Sequence, residues 1–246
     1  MTLLLISVII QNRMIIRRKY ILGGESIMKY SSVFDVIGPV MIGPSSSHTA
    51  GAARIGKAAR DFFGKEPTYA KIHLYGSFAK TYKGHGTDFA LAGGLLGFDT
   101  DDKRMSSALE ICKEKGIDIE FIEDEASTDH PNTARLIVGD QDSEIEIVGI
   151  SIGGGTIEIV ELNGFELRLS GSNPALLIVH NDKFGAIASV AQIFAENRLN
   201  IGHMAVNRKD VGQEALMVIE TDDIVSEEVI EKLKKANENI ISVAKI

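Results

Sequence analysis

The 246 residues contain a single cysteine, Cys112. That excludes an internal disulfide and a metal cluster ligated by this chain's own thiolates. Cys112 falls in an expected amphipathic helix over residues 105–115 and reads as a small buried apolar residue. Positive charge is also short. Lys and Arg number 26 against 34 Asp and Glu, for a net charge of −8, and no basic stripe alternates with aromatics. Nucleic acid and anionic membrane are therefore not expected as partners. The apolar run at residues 3–10 is far too short to span a bilayer. Its positive residues, Arg13, Arg17, Arg18 and Lys19, follow it, the wrong order for a secretory signal. No fixed-period repeat or low-complexity segment is present. There is no Gly-x-Ser-x-Gly elbow for a hydrolase. No Schiff-base lysine pairs convincingly with a phosphate-cradling glycine loop for pyridoxal chemistry.

The composition that remains, 44% hydrophobic and 24% charged, is that of a soluble globular chain with a substantial core. Its length allows one large domain or two ordinary ones. Residues 1–27 do not match the rest and read as an extension ahead of an ordinary start at Met28, with a weak membrane-surface anchor as the alternative.

The rest is organised around Gly38-Pro39-Val40-Met41-Ile42-Gly43-Pro44-Ser45-Ser46-Ser47-His48-Thr49. The two Gly-Pro pairs forbid helix before Ser45. Residues 50–63 then read as a helix with Ala52, Ile55, Ala59 and Phe62 on one stripe. One serine would suffice as N-cap, yet Ser45, Ser46, Ser47 and Thr49 surround His48. A polar run this dense at a helix N-terminus is suited to a small carboxylate or phosphate. The plainer account is an over-rich cap on a buried helix.

This run, followed by a small-residue helix, resembles the iron–sulfur-dependent L-serine dehydratases, in particular the β chain of the two-chain bacterial form. A second segment strengthens the resemblance. After an expected strand at residues 70–77 comes Gly76-Ser77-Phe78-Ala79-Lys80-Thr81-Tyr82-Lys83-Gly84-His85-Gly86-Thr87-Asp88. Gly84 and Gly86 place His85 on an expected flexible loop, and Thr87 or Asp88 is positioned to cap the next helix. Lys83, His85 and Asp88 form an acid–base set, although a solvated turn would explain them in isolation. A third segment, His130-Pro131-Asn132, is weak alone and gains weight from the same family. Residues 144–152 and 156–162 alternate as strands about Gly153-Gly154-Gly155. No helix follows those glycines, so they read as a bend between strands rather than a phosphate loop. A hairpin through Asn163-Gly164 ends this part.

From Asn173 the order becomes strand, helix, strand, strand, helix, strand, the ferredoxin-like split unit. Residues 226–236 form its second helix, with Ser226 as expected cap. The run His180-Asn181-Asp182-Lys183-Phe184-Gly185, with Asn200, resembles an ACT domain. In that resemblance Asn181, Asp182, Gly185 and Asn200 form the ligand loop, which binds an effector in some relatives and only dimerises in others. The fold class expected is therefore α/β (α+β): a serine dehydratase β-type domain over 28–170, then a ferredoxin-like ACT domain over 173–246.

Dehydrating serine requires a base for the Cα proton and an acid or Lewis acid for the Cβ hydroxyl. The resemblance implies a 4Fe–4S cluster shared with, or supplied by, a cysteine-containing α chain in a cytoplasmic hetero-oligomer, so no metal ligand is expected here. It implies His48 and His85 as acid–base candidates, with Asp88 orienting His85. It places Ser45, Ser46, Ser47 and Thr49 on the carboxylate of L-serine, and Lys83, Thr87, His130 and Asn132 around the pocket. The rival reading is a non-catalytic amino-acid-sensing subunit built on the C-terminal module. A hydrolase with Ser47 as nucleophile is weaker, because an adjacent His48 is poorly placed as its base.

Overall fold

Gly43-Pro44 delivers Ser45 in extended backbone, φ −142° and ψ 125°. In this computed structural model, which describes residues 39–170 and 174–246, a π-helical turn, Ser46–Ala50, follows and continues as helix α1, Gly51–Phe63. The helix expected from residue 50 thus starts with one wider turn. The extension expected over 1–27, the start at Met28 and the boundary residue Asn173 lie outside the described residues. Strand β1, Tyr69–Tyr75, comes next.

The expected loop carrying His85 is instead a helix, α2, Gly76–His85. Phe78 and Tyr82, one turn apart, bury one face of it, so tertiary packing overrides the weak propensity of Gly84. The helix closes only at Gly86, whose φ of 69° is left-handed. Helix α3, Thr87–Leu95, follows and is buried nearly throughout. A 3₁₀ turn at Met105–Ser107 leads into α4, Ala108–Glu114, and then β2, Asp118–Asp124. Strands β3, Thr133–Gly139, β4, Glu144–Gly153, β5, Thr156–Leu162, and β6, Phe165–Leu169, complete a six-stranded sheet of order β2-β1-β3-β4-β5-β6. Only the β1–β2 pair is parallel, because α2 to α4 form the crossover between those strands.

Ile72, Leu74, Leu136 and Ile147 of the sheet share one apolar cluster with Ile55, Leu91 and Leu95 of α1 and α3. The two helices touch backbone to backbone. A Cβ added at Gly94 would lie 2.1 Å from the Ala53 carbonyl oxygen, and one at Gly56 would lie 2.3 Å from that of Leu91. Glycine at both positions therefore fixes how closely α1, and the turn at its head, sits against α3.

The C-terminal region runs β7, Ala175–Asn181, α5, Ala186–Glu196, β8, Ile201–Arg208, β9, Glu214–Thr221, α6, Glu227–Lys234, and β10, Ile240–Lys245. Its antiparallel sheet has the order β10-β7-β9-β8, the ferredoxin-like arrangement. Leu176, Ile178, Met217 and Ile219 pack beneath Val190, Phe194, Ile230 and Leu233. The opposite face contributes Leu177, Leu216 and Val218 to the cluster that also holds Phe165, Leu167 and Leu169 of β6. Ser226 occupies the N-cap position of α6 but makes no side-chain cap bond. Its carbonyl accepts from the Val229 and Ile230 N–H groups instead. Among the described residues no helix is long and apolar enough to cross a membrane.

Candidate active site

The π-helical turn places His48 at the meeting point of three elements. Ser45 Oγ accepts from the His48 backbone N–H at 3.1 Å, which starts the turn. The same oxygen lies 3.4 Å from His48 Nδ1, and Ser77 Oγ at the head of α2 lies 2.9 Å from His48 Nε2. A hydroxyl donates or accepts, so either neutral tautomer of the ring is satisfied. The His85 ring, at the exposed C-terminal end of α2, stands edge-on to His48, with ring centroids 4.9 Å apart and planes at 83°. Phe78 packs against the His48 ring at 5.4 Å. Burial, and then the neighbouring His85, hold the His48 pKa below its ordinary value. The folded chain thus favours the neutral, proton-accepting imidazole.

The His130 to Asn132 segment reaches the same place through backbone. The Pro131 carbonyl accepts from the Ser77 N–H at 2.7 Å. A Cβ at Gly76, φ 54°, would collide with Pro131, so glycine permits that approach. Asn132 is buried. Its Nδ2 donates to the Ser151 carbonyl at 3.3 Å, and its own carbonyl accepts the Ser151 N–H. Ser151 Oγ in turn donates to the Ser47 carbonyl at 2.9 Å. His130 Nδ1 accepts from the Asn132 N–H, and its carbonyl accepts from Thr128 and Thr133.

Ser45, Ser46, Ser47, His48, Ser77, His85 and the His130–Asn132 segment are thus joined. The hydroxyls of Ser46 and Ser47 are half-buried and have no hydrogen-bond partner among the described residues. They are the groups at this turn able to receive a carboxylate.

Three expected residues are placed differently. Thr49 and Thr87, expected at the substrate, are 1% and 0% exposed. Thr49 Oγ1 donates to the His85 carbonyl at 2.9 Å, and Thr87 Oγ1 donates to the His48 carbonyl at 2.9 Å. Asp88 does not orient the His85 ring. Its Oδ1 accepts from the Phe89 N–H at 2.9 Å, in the first turn of α3, and burial raises its pKa. Lys83 is exposed, with its ammonium 5.4 Å from the Tyr82 ring centroid. Sequence reasoning assigned no role to Ser77 or Ser151. Ser77 carried a signal, since it opens the run that resembles the dehydratases; Ser151, inside a regular strand, carried none. Arg54 is a further addition. Its Nη1 donates to the Gly155 carbonyl at 2.7 Å and ties the β4–β5 bend to α1.

The expected ligand loop of the C-terminal region is divided. Asp182 Oδ2 accepts from Arg208 at 3.0 Å and from the Gly212 N–H at 3.1 Å, and these bonds hold its pKa down. Asn200 instead bonds Asp222 at 2.7 Å. Asn181 pairs with Glu214 while Ile201 pairs with Thr221, so Asn200 and the 181–185 loop stand at opposite ends of the sheet. Beside the loop, His180 is 2% exposed. Its Nδ1 lies 2.8 Å from the Asn181 carbonyl oxygen, and Nε2 is buried without a partner.

No group of three or more potential metal ligands forms among the described residues. Cys112 is buried, with its thiol pushed up to about 11 by burial and then by Glu66. Thiolate ligation needs the opposite shift, so this chain's residues do not fit a cluster. A cleft of about 740 Å³ lies elsewhere, where Arg60, Asp61 and Lys65 at the far end of α1 face Thr221, Ile224 and Lys245. Its cations are already paired with Glu66, Asp140 and Glu227.

Comparison with known proteins bears on both regions. The family model described as "Serine dehydratase beta chain" matches residues 32–116, and that of the ACT domain matches residues 175–238. The chain is 61% identical over 219 residues to the "Probable L-serine dehydratase, beta chain" of Bacillus subtilis, covering 89% of this chain and 99% of that one. It is 35% identical over 198 residues to the "L-serine dehydratase, beta chain" of Peptoniphilus asaccharolyticus, covering 80% and 89%. A D-3-phosphoglycerate dehydrogenase of Methanocaldococcus jannaschii is 33% identical over 126 residues, covering 51% of this chain and 24% of that protein.

Proposed function

The chain belongs to the L-serine dehydratase β-chain family, and from that premise we propose that it is the substrate-handling half of a two-chain L-serine ammonia-lyase. The observation that carries this reading is the edge-on pair of His48 and His85 next in the chain to the Ser46 and Ser47 hydroxyls, which have no hydrogen-bond partner among the described residues. Ser46 and Ser47, at the N-terminal end of α1, hold the carboxylate of L-serine, where backbone N–H groups add to the attraction. One histidine of the pair takes the Cα proton as the Cβ hydroxyl leaves. The resulting enamine, 2-aminoacrylate, hydrolyses to pyruvate and ammonia. Burial keeps His48 neutral and able to accept a proton, and Ser77 keeps its ring from turning away.

The family resemblance implies a 4Fe–4S cluster, whose chemistry is that of a Lewis acid. The residues of this chain do not fit it, so its cysteine ligands belong to an α chain. That partner covers the face bearing residues 45–49 and His85, in a cytoplasmic hetero-oligomer. The test is anaerobic co-expression of this chain with a cysteine-rich α chain. Brown colour and pyruvate formation from serine are expected from the pair and not from this chain alone. Serine deamination by this chain alone, without iron, would refute the two-chain reading.

A second reading rests on the unpartnered His180 Nε2 beside the Asn181 to Gly185 loop. In it the C-terminal module senses an amino acid, and the chain is regulatory. Calorimetric titration of the isolated chain with amino acids tests it, with Asp182→Ala as the variant that abolishes the heat.

A further inference from the structure

Three hydroxyls near the histidine pair are out of reach of any substrate. Thr49 is 1% exposed, and Thr87 and Ser151 are 0% exposed. Each donates to one backbone carbonyl. A π-helical turn widens the hydrogen-bond spacing and leaves carbonyls off the ordinary α-helical ladder. In the turn at Ser46–Ala50, the Ser47 carbonyl accepts from Ser151 and the His48 carbonyl from Thr87. Thr49 returns the bond, donating to the carbonyl of His85, the last residue of α2.

The pattern is reciprocal. The residue after His48 holds the backbone of His85, and the residue two beyond His85 holds the backbone of His48. Each bond therefore fixes the segment from which one ring projects against the segment carrying the other. Ser151 fixes the same turn to β4, from which a Cβ at Gly51 would be only 2.1 Å away. A buried hydroxyl or carbonyl left unpaired costs more than the bond itself contributes. Loss of any one of the three would make the turn or the end of α2 move to find a new partner, and the 4.9 Å ring separation would change.

We propose that Thr49, Thr87 and Ser151 are positioning residues, which set the distance and facing of His48 and His85 and do not bind substrate.

The kinetic arm of the test rests on the dehydratase reading and uses the complex with the α chain. Thr49→Val, Thr87→Val and Ser151→Ala should each lower kcat for serine by about tenfold or more, with KM changed by no more than about twofold, because geometry rather than ground-state binding is lost. Thr87→Ser restores the hydroxyl and should recover most of kcat. A raised KM with unchanged kcat would make these residues substrate ligands and overturn the proposal. So would a Thr87→Ser variant as impaired as Thr87→Val, which would assign the effect to the methyl's packing.

The second arm does not depend on activity. In the isolated full-length chain, the imidazole NMR signals of both His48 and His85 should shift in Thr87→Val and return in Thr87→Ser. If Thr87→Val does not yield folded protein, Thr49→Val and Thr49→Ser carry the same test from the other end of the pair. Unmoved imidazole signals in a folded valine variant would overturn the proposal. Moved signals with no serine deamination in any complex would leave it standing and count against the dehydratase reading alone.

Discussion

Two polar turns of this chain lead into helices, and they are held in opposite ways. At residues 45–49 the chain sits at the centre of a bond network, with the carbonyls of Ser47 and His48 held by side chains from β4 and α3. At residues 181–185 the backbone is tied at Asn181 and Asp182, to Asn239 and Gln213, while Lys183, Phe184 and Gly185 are exposed. Phe184 has no burial at all. The first turn is over-determined, as a site must be if two rings are to hold one geometry. The second makes few contacts beyond its first two residues. That marks it as the end of the molecule able to rearrange at low cost. Similar polar runs at helix entries are therefore held by several side chains in one case and by few contacts in the other.

Substitution in each turn should separate the two most strongly. In the complex, His48→Ala or His85→Ala should lower turnover by about a hundredfold or more, whereas Lys183→Ala should leave kcat within about twofold. Steady-state serine deamination reads both, and wild-type rates in the two histidine variants would remove the pair from the mechanism.

Next in size is the packing beneath the first turn. Gly94→Ala drives a methyl into the Ala53 carbonyl and to 2.5 Å from the Lys57 nitrogen, groups that cannot move without separating α1 from α3. A loss of about 3 kcal/mol or more is expected. Gly64→Ala, at φ 81° with open space around it, should cost only about 1 kcal/mol. Denaturant melts of the two variants give the comparison, and equal midpoints would mean that α1 is not held where the structure places it.

A smaller effect concerns pH. The folded chain depresses the His48 pKa, so the unfolded chain binds that proton more tightly. The penalty is absent above about pH 6.5 and grows as pH falls below it, so this residue makes stability decline toward acid. By NMR, His48 should titrate below 6.5. His85→Gln should raise it part of the way only, because burial is the larger cause. A His48 that titrates at or above the ordinary value would show that the turn is open to water. Smallest of all, Phe184→Ser in the exposed loop should change stability by less than about 0.5 kcal/mol. A larger loss would show the loop packed against something.

Much of this contrast was legible in the chain itself. Gly-Pro pairs, a serine-rich run and a small-residue helix stripe are local signals, and they located the first turn and the face of α1 correctly. Alternation of apolar residues located the strands, including residues 156–162 without error. The reading failed where local chemistry and tertiary packing disagree. The glycines at 84 and 86 indicate a loop, yet burial of Phe78 and Tyr82 carries α2 through to His85. Thr49 and Thr87 have the composition of substrate ligands, yet the fold buries both.

The sequence by itself determined the order of the two regions, most of their strands and helices, and the polar turn ahead of α1. These depend on spacing, backbone freedom and residue type, all of which act over a few positions. Only the tertiary structure decided which groups face each other. Ser77 reaches His48 across 29 residues, Thr87 across 39, and Ser151 reaches Ser47 across 104. It also decided that Asn200 stands at the far end of the sheet from the loop it was expected to join. The physical reason is the same in each case. A hydroxyl in the sequence has the same bonding capacity wherever it lies, and the packing of helices on the sheet determines whether that capacity faces a substrate or a buried carbonyl.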